Sequence, residues 1–270
     1  MIVIIRGGGD LASGVTLRLH RVGLQVVITE LAQPLAVRRL ACFAEAVYAG
    51  ETVVEGVTAR RINDPTDALR IIQVLAKGQI PVLIDPQGAS IRHLHPGVVV
   101  DGRMLKQRVP LIPEQVGLII GLGPGFTAGE NCHAVVETKR GHMLGRVYWD
   151  GPAEADTGVP EGVEARRAER VLRAPVDGTL NAHAQICDQL EADQLIADVS
   201  GVEIRAPFKG ALRGLLHDGL EVRAGLKIGD LDPRCEAKYC SLVSDKALAV
   251  AGGVLEAILS RRELRAGLWR

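Results

Sequence analysis

The sequence predicts an α/β fold: a mainly parallel sheet with helices on both faces, then a small β-domain, then a C-terminal helix. Three observations carry this. Short continuous apolar runs alternate with helical runs through the first half of the chain. Two kindred strings recur later, R-A-P-V-D-G at 173–178 and R-A-P-F-K-G at 205–210. The last stretch, 244–264, places Leu248, Leu255, Ile258 and Leu259 at near-helical spacing.

Taken in order, Ile2–Ile5 is a buried-strand pattern, and Asp10–Arg21 follows with Leu11, Val15, Leu19 and Val22 at helical spacing. Val26–Thr29 is a second strand. Pro34–Ala46 is expected to form a helix with proline near its start. Pro65–Lys77 is another, with Asp64 as its N-cap and Gly78 as its stop. Ile80–Ile84 and Val116–Ile120 are apolar throughout rather than alternating, as strands of a parallel sheet covered on both faces are. Asp150–Glu164, rich in Gly, Pro, Asp and Glu, reads as a linker or long loop. Beyond it, each R-A-P string is followed by D-x-L-E and then by I-x-D, the matches standing 30–32 residues apart. Neither repeat can bury an apolar face alone, so the two are expected to interlock. Ser244 is the expected N-cap of the last helix. The domains expected are 1–165, 166–235 and 236–270, the last a helix returning to the first domain.

Composition narrows the function. With 270 residues, 47% of them hydrophobic, the chain can build a sizeable core and more than one domain. Lys+Arg and Asp+Glu are both 32, and aromatics are only 3%, which argues against a general nucleic-acid binder. No run approaches the roughly 18 apolar residues of a membrane span. Five sparse cysteines without C-x-x-C spacing, and a start that reads at once as a strand, lead us to expect a cytoplasmic protein.

The chemistry concentrates in two glycine clusters. Gly7, Gly8 and Gly9 open from a strand into a helix as G-x-G-x-x-A, with Asp10 next and Glu30 ending the second strand. That context is Rossmann-like: glycine lets backbone N–H groups approach a phosphate, and the acid accepts ribose hydroxyls. Asp10 opposes an anion there. The second cluster, G-L-G-P-G-F-T-A-G, offers Gly123, Gly125 and Thr127 beside Gly121 and Gly129. Both clusters are expected at strand carboxyl ends, lining one pocket. Arg140, with Lys139 and Arg146, could neutralise an anion, as could Arg38 and Arg39. Asp85 and His142 are the candidate proton-transfer residues of an enzyme. His93 and His95 form only His-x-His, so no metal is expected.

The strings IRGGGDLASG, TELAQPLAVRR, FAEAVY, GLGPGFTAG, ETKRGH-x-LGRV and SDKALAV-x-GGVLEAIL resemble the YqeB family, from Ile4 to about Leu259. The resemblance implies an accessory protein of selenium-dependent molybdenum hydroxylases. Implied partners are such a hydroxylase or another maturation factor, and a homo-oligomer stays open. At the glycine-rich loops the ligand expected bears phosphate: a nucleotide or a molybdopterin dinucleotide. The repeat resembles a biotinyl/lipoyl-type barrel-sandwich hybrid. Its hairpin, A-D-V-S-G-V-E-I, lacks the lysine of a carrier domain, so a docking or lid module is expected instead. Two other readings stand beside this one: an NAD(P)-linked oxidoreductase, and a non-catalytic interaction scaffold.

Overall fold

Apolar runs punctuated by glycine build the strands of one nine-stranded sheet. The computed structural model describes residues 1–112, 114–155 and 168–267. In chain order the elements begin with β1 (Ile2–Arg6), α1 (Asp10–Arg21) and β2 (Gln25–Glu30). A short α2 (Ala46–Ala49), β3 (Glu51–Val54), β4 (Val57–Ile62), α3 (Ala68–Ala76) and β5 (Ile80–Ile84) follow. Next come α4 (Ser90–Leu94), β6 (Val98–Asp101), β7 (Leu118–Leu122), β8 (Thr127–Ala128), β9 (Ala134–Val136), β10 (Val147–Tyr148) and β11 (Gly151–Pro152). The sheet order is β10-β9-β7-β6-β1-β2-β5-β4-β3. Its central strands pair in parallel, and the antiparallel pairs β3–β4 and β9–β10 lie at its two edges. Among β1, β2, β5, β6, β7 and β9, the spatial order counted along the chain is 3-2-1-4-5-6, that of a doubly wound sheet. The chain therefore reverses direction across the sheet between β1 and β6, the switch point.

Alternate residues of the strands feed two cores. Val3 and Ile5 of β1 join α1 and a C-terminal helix, α5 (Asp245–Ser260), on one face. Ile4 joins Ile71 and Val74 of α3 and Ile91 of α4 on the other. Ser244 caps α5, its Oγ accepting from the Ala247 N–H at 3.1 Å. α5 lies tightly on α1 because Gly14 has no side chain: a Cβ there would stand 2.7 Å from that of Ala247.

Two local expectations are corrected. Pro34–Ala46 is not one helix; it holds 3-10 turns at Arg39–Ala41 and Phe43–Glu45, separated by extended Cys42. The α3 helix starts later than expected. Asp67, not Asp64, accepts from the N–H of its third following residue, Arg70, at 2.9 Å. Asp64 instead closes a turn on the Thr66 N–H and hydroxyl. The β3–β4 hairpin is an addition: Glu55 (φ 45°) and Gly56 (φ 83°) form a two-residue turn with both φ positive, which suits the strand twist.

Compact units are Met1–Pro34, Cys42–Thr157 and Val243–Arg270 for the first, and Leu35–Ala41 with Gly158–Leu242 for the second. The sequence reading gave 35–41 to the α/β domain and ended the β-domain at 235. Of its expected linker, β11 is strand, and residues 156–164 lie outside the described residues.

The second unit carries β12 (Val171–Arg173), β13 (Gly178–Ala182), β14 (Gln189–Leu190) and β15 (Leu195–Val199), then β16 (Val202–Arg205), β17 (Gly210–Leu215), β18 (Glu221–Val222) and β19 (Lys227–Asp232). Its sheets are β12-β19-β17-β14 and β16-β15-β13-β18. Exchanging the first four strands with the last four converts one sheet into the other. The register follows: Leu172↔Gly229 becomes Ile204↔Ala197, Leu180↔Val199 becomes Leu212↔Leu231, and Gly178↔Val222 becomes Gly210↔Leu190, each a shift of 32 residues. Each sheet thus takes strands from both repeats, and they share one core around Leu180, Ile196, Leu212 and Ile228.

Candidate functional site at the strand carboxyl ends

Parallel strands bring their carboxyl ends to one edge of the sheet, so the loops after β1, β2, β5, β6, β7 and β9 gather there. Both glycine clusters lie on this edge, and the Asp101–Arg103 turn after β6 lies between them.

At the first cluster each glycine does something different. Gly7 has φ 90°, a left-handed value that favours glycine, and its N–H extends the sheet to the Thr29 carbonyl. A Cβ on Gly7 would rest 3.4 Å from the Arg103 backbone, so Arg103 lies against this loop. Gly8 is buried under Ala44. A Cβ would stand 2.8 Å from the Ala44 N, which itself donates to the Gly8 carbonyl at 2.9 Å. The Ser13 hydroxyl donates to the same carbonyl and accepts from the Phe43 N–H, pinning the loop. Gly9 is different again: it stands at the N-cap of α1 with φ −72°, and a Cβ there would meet no atom within 4 Å. No side chain caps α1, so the space beside its first turn is open and faced by N–H groups.

Glu30 is occupied by the protein itself. One oxygen accepts from the Gly8 N–H and the other from the Leu31 N–H, both at 2.7 Å. Burial raises its pKa, and those two hydrogen bonds oppose the rise. A carboxylate retains lone pairs beyond two such bonds, so it can still accept from a hydroxyl. Asp10 sits in the first turn of α1.

The switch point itself holds charge that the sequence reading missed. Arg6, 8% exposed, ends β1 with Nη1 3.5 Å from Asp101. Its Nη2 donates to the Gln87 carbonyl at 3.4 Å, and its Nε has no hydrogen-bond partner. Burial pushes the Arg6 guanidinium down, with Asp101 opposing and Arg103 adding to the fall. Arg103 makes a two-point bond to Asp101, from Nε at 2.9 Å and Nη2 at 2.6 Å. Two guanidiniums thus share one carboxylate beside Gly7. The available signal was V-V-V-D-G-R at 98–103, an apolar strand ending in a charged turn.

The second cluster is packed rather than open. A Cβ on Gly121 would enter the Phe126 ring, on Gly123 the Thr138 side chain, and on Gly125 the Gln107 carbonyl. Thr127 donates its N–H to Asn131 Oδ1 at 2.8 Å. Of this cluster's loop only Gly129 has open space around its Cβ position.

Most of the other candidates have structural partners. Asp85 is buried, and its two oxygens accept from the Ala89 and Ser90 N–H groups at the start of α4. Arg140 makes a two-point bond to Asp245, both contacts at 2.7 Å. His142 is exposed and lines a shallow depression with residues 143–148 and Glu256 that contains no glycine-cluster residue. Arg38 donates to the Tyr239 and Leu242 carbonyls, and Arg39 to that of Leu215, all within the second unit. Among the described residues no three His, Cys, Asp or Glu side chains gather as a metal site would need.

Comparison with known proteins adds one relative. No family model matches the chain. Among solved structures, an aspartoacylase family protein from Mesorhizobium loti aligns over 85% of this chain and 84% of its own, with 9% identity and a TM-score of 0.26, a likeness too slight to carry an argument. The chain is 45% identical over 258 residues to the uncharacterized protein YqeB of Escherichia coli, a match covering 96% of this chain, which spans about half (47%) of that relative's length.

Proposed function

We propose that this protein is an accessory factor in the maturation of a selenium-dependent molybdenum hydroxylase, and that its first glycine cluster holds a phosphate-bearing ligand. The ligand is a nucleotide or a molybdopterin dinucleotide. The likeness to YqeB supports the family side of this reading, although that relative's name gives no function. The strand order supports a Rossmann-like first unit, and the exchange of strands between repeats supports a barrel-sandwich-hybrid-like second one.

One observation carries the ligand side. The uncapped start of α1 opens beside Gly9, with Arg103 against Gly7 and a glycine loop pinned from beneath. An anion at a helix start gains roughly 0.3–1 kcal/mol, up to about 2 when partly buried. Arg103 adds a charge-assisted donor and offsets Asp10. Glu30 both fixes the Gly8 N–H and offers its remaining lone pairs to a ribose. The oxidoreductase reading is less well supported: Asp85 spends both oxygens on α4, and His142 sits in a depression that contains no glycine-cluster residue.

The test is a thermal-shift panel of NAD, ATP, inorganic phosphate and molybdopterin cytosine dinucleotide on the full chain. A nucleotide or pterin dinucleotide that stabilises the parent, and does not stabilise Gly9→Val, supports the reading. No stabilisation by any of them returns the loop to a structural turn and favours the scaffold. Turnover of NAD would favour the oxidoreductase.

A further inference from the structure

The exchange of strands in the second unit sets Cys187 and Gly219 at matching positions, 32 residues apart. Each donates its N–H to a strand of the other repeat: Cys187 to the Leu212 carbonyl at 2.9 Å, Gly219 to that of Leu180 at 2.8 Å. Each has a left-handed backbone, φ 85° at Cys187 and 78° at Gly219. Glycine adopts that conformation freely and any other residue at a cost. The backbone thus favours glycine at both places, and the side chain at 187 has to be explained by what it touches.

It touches a second thiol. Cys240 closes the 3-10 turn Ala237–Cys240 and is fully buried. Its Sγ lies 3.8 Å from the Leu212 carbonyl, the same oxygen that accepts from the Cys187 N–H. Cys187 Sγ in turn lies 3.9 Å from the Ala237 carbonyl, in the turn that Cys240 ends. These contacts bring the two sulfurs together, and the two thiols hydrogen-bond to each other. Burial is the first cause that pushes Cys240 up to about 12, and Cys187 adds to the rise through that bond and its charge. Cys240 is therefore held as a thiol away from solvent, whereas half-buried Cys187 is the sulfur that a reagent reaches. Cys235, also half-buried, points its thiol to the Pro233 carbonyl at 3.5 Å.

We propose that Cys187 and Cys240 form a thiol–disulfide exchange site that takes a low-molecular-weight disulfide, with Cys187 attacking and Cys240 resolving. The Cys187 thiolate, its proton lost to water, attacks one sulfur of the disulfide R–S–S–R. The S–S bond breaks, RS⁻ leaves and takes a proton from water, and a mixed disulfide stands on Cys187. Its sulfur then carries no charge, so that part of the rise at Cys240 is gone. Cys240 attacks the Cys187 sulfur, the bond to RS breaks, and the Cys240 proton leaves with it as RSH. Two protein thiols are oxidised to one disulfide and R–S–S–R is reduced to two RSH. The new bond ties the Ala237–Cys240 turn to the residue that pairs with β17. The site lies wholly in the second unit and is independent of the glycine loop.

Incubating the reduced, folded full chain with excess oxidised glutathione at mildly alkaline pH tests it. Remaining thiols are then blocked with iodoacetamide after unfolding, and non-reducing peptide mapping by mass spectrometry reads the pairing. The peptides of Cys187 and Cys240 are expected joined, with the loss of two hydrogens, and dithiothreitol should separate them. Cys240→Ala should stop at glutathione on Cys187, Cys187→Ala should leave Cys240 a free thiol, and Cys235→Ala should still give the pair. Circular dichroism checks that each variant folds, and the map of the parent decides the matter without them. The proposal is overturned if the parent ends with glutathione on Cys187 and Cys240 free, if Cys187 pairs with Cys235 instead, or if neither Cys187 nor Cys240 reacts.

Discussion

Adjacent glycines in the first cluster should respond oppositely to a side chain. Gly9 has negative φ, and a Cβ there meets nothing within 4 Å. Valine is a poorer N-cap than glycine, a loss of up to about 1 kcal/mol, and stiffening the unfolded chain returns about 0.4–1 kcal/mol. Gly9→Val should therefore stay within about 1 kcal/mol of the parent. Gly8→Ala places a Cβ 2.8 Å from the Ala44 N, within the hydrogen bond that closes the loop. Overpacking of this kind costs about 1–3 kcal/mol, and part of the Ala44–Gly8 bond is lost with it. The smaller substitution is thus the more damaging. Urea unfolding followed by circular dichroism measures both. A Gly9→Val protein destabilised by about 2 kcal/mol or more (twice the bound above), or a Gly8→Ala protein as stable as the parent, would refute the assignment of open and packed glycines.

Other outcomes follow from single contacts. Asp67→Ala should cost about 1 kcal/mol by removing the cap of α3; an unfolding curve identical to the parent's would return the cap to Asp64. Asp198 is held down to about 2 by hydrogen bonds from Asn181, His183 and Gly201. A lowered carboxylate stabilises above its ordinary pKa and loses that contribution as pH falls through the folded value. The second unit should thus weaken between the ordinary 3.8 and about 2, and Asp198→Asn should flatten that part of the stability–pH curve. Cys132 and Cys240 are pushed by burial to about 11 and about 12, and Cys42 is buried. Iodoacetamide at mildly alkaline pH should modify Cys187 and Cys235 in the native protein and the remaining three only after unfolding, as mass spectrometry would count.

Legibility in the sequence tracked locality. Continuous apolar runs marked β1, β2, β5 and β7, and the repeated R-A-P strings marked strands that exchange between two sheets. Ser244 was readable as a cap because its partner is three residues away. Features set by distant neighbours were not. The stretch 34–46 reads as a helix, yet Val37 packs in the second core and Arg39 bonds to Leu215. A glycine facing a ligand and a glycine crowded by Phe126 are the same letter, so Gly121, Gly123 and Gly125 read as a concave surface and are packing positions. Glu30 was readable as an acid at a strand end, but not as the acceptor of the Gly8 N–H. Arg6 and Arg103 become neighbours only through the pairing of β1 with β6.

Amide NMR of the labelled protein titrated with ATP and with NAD reads the first glycine loop directly. If the loop holds phosphate, one of these ligands shifts the N–H resonances of Gly9, Asp10 and Leu11, with the Arg103 side chain moving in parallel. If neither shifts them at millimolar concentration, or the shifts fall only elsewhere, the loop binds no nucleotide phosphate.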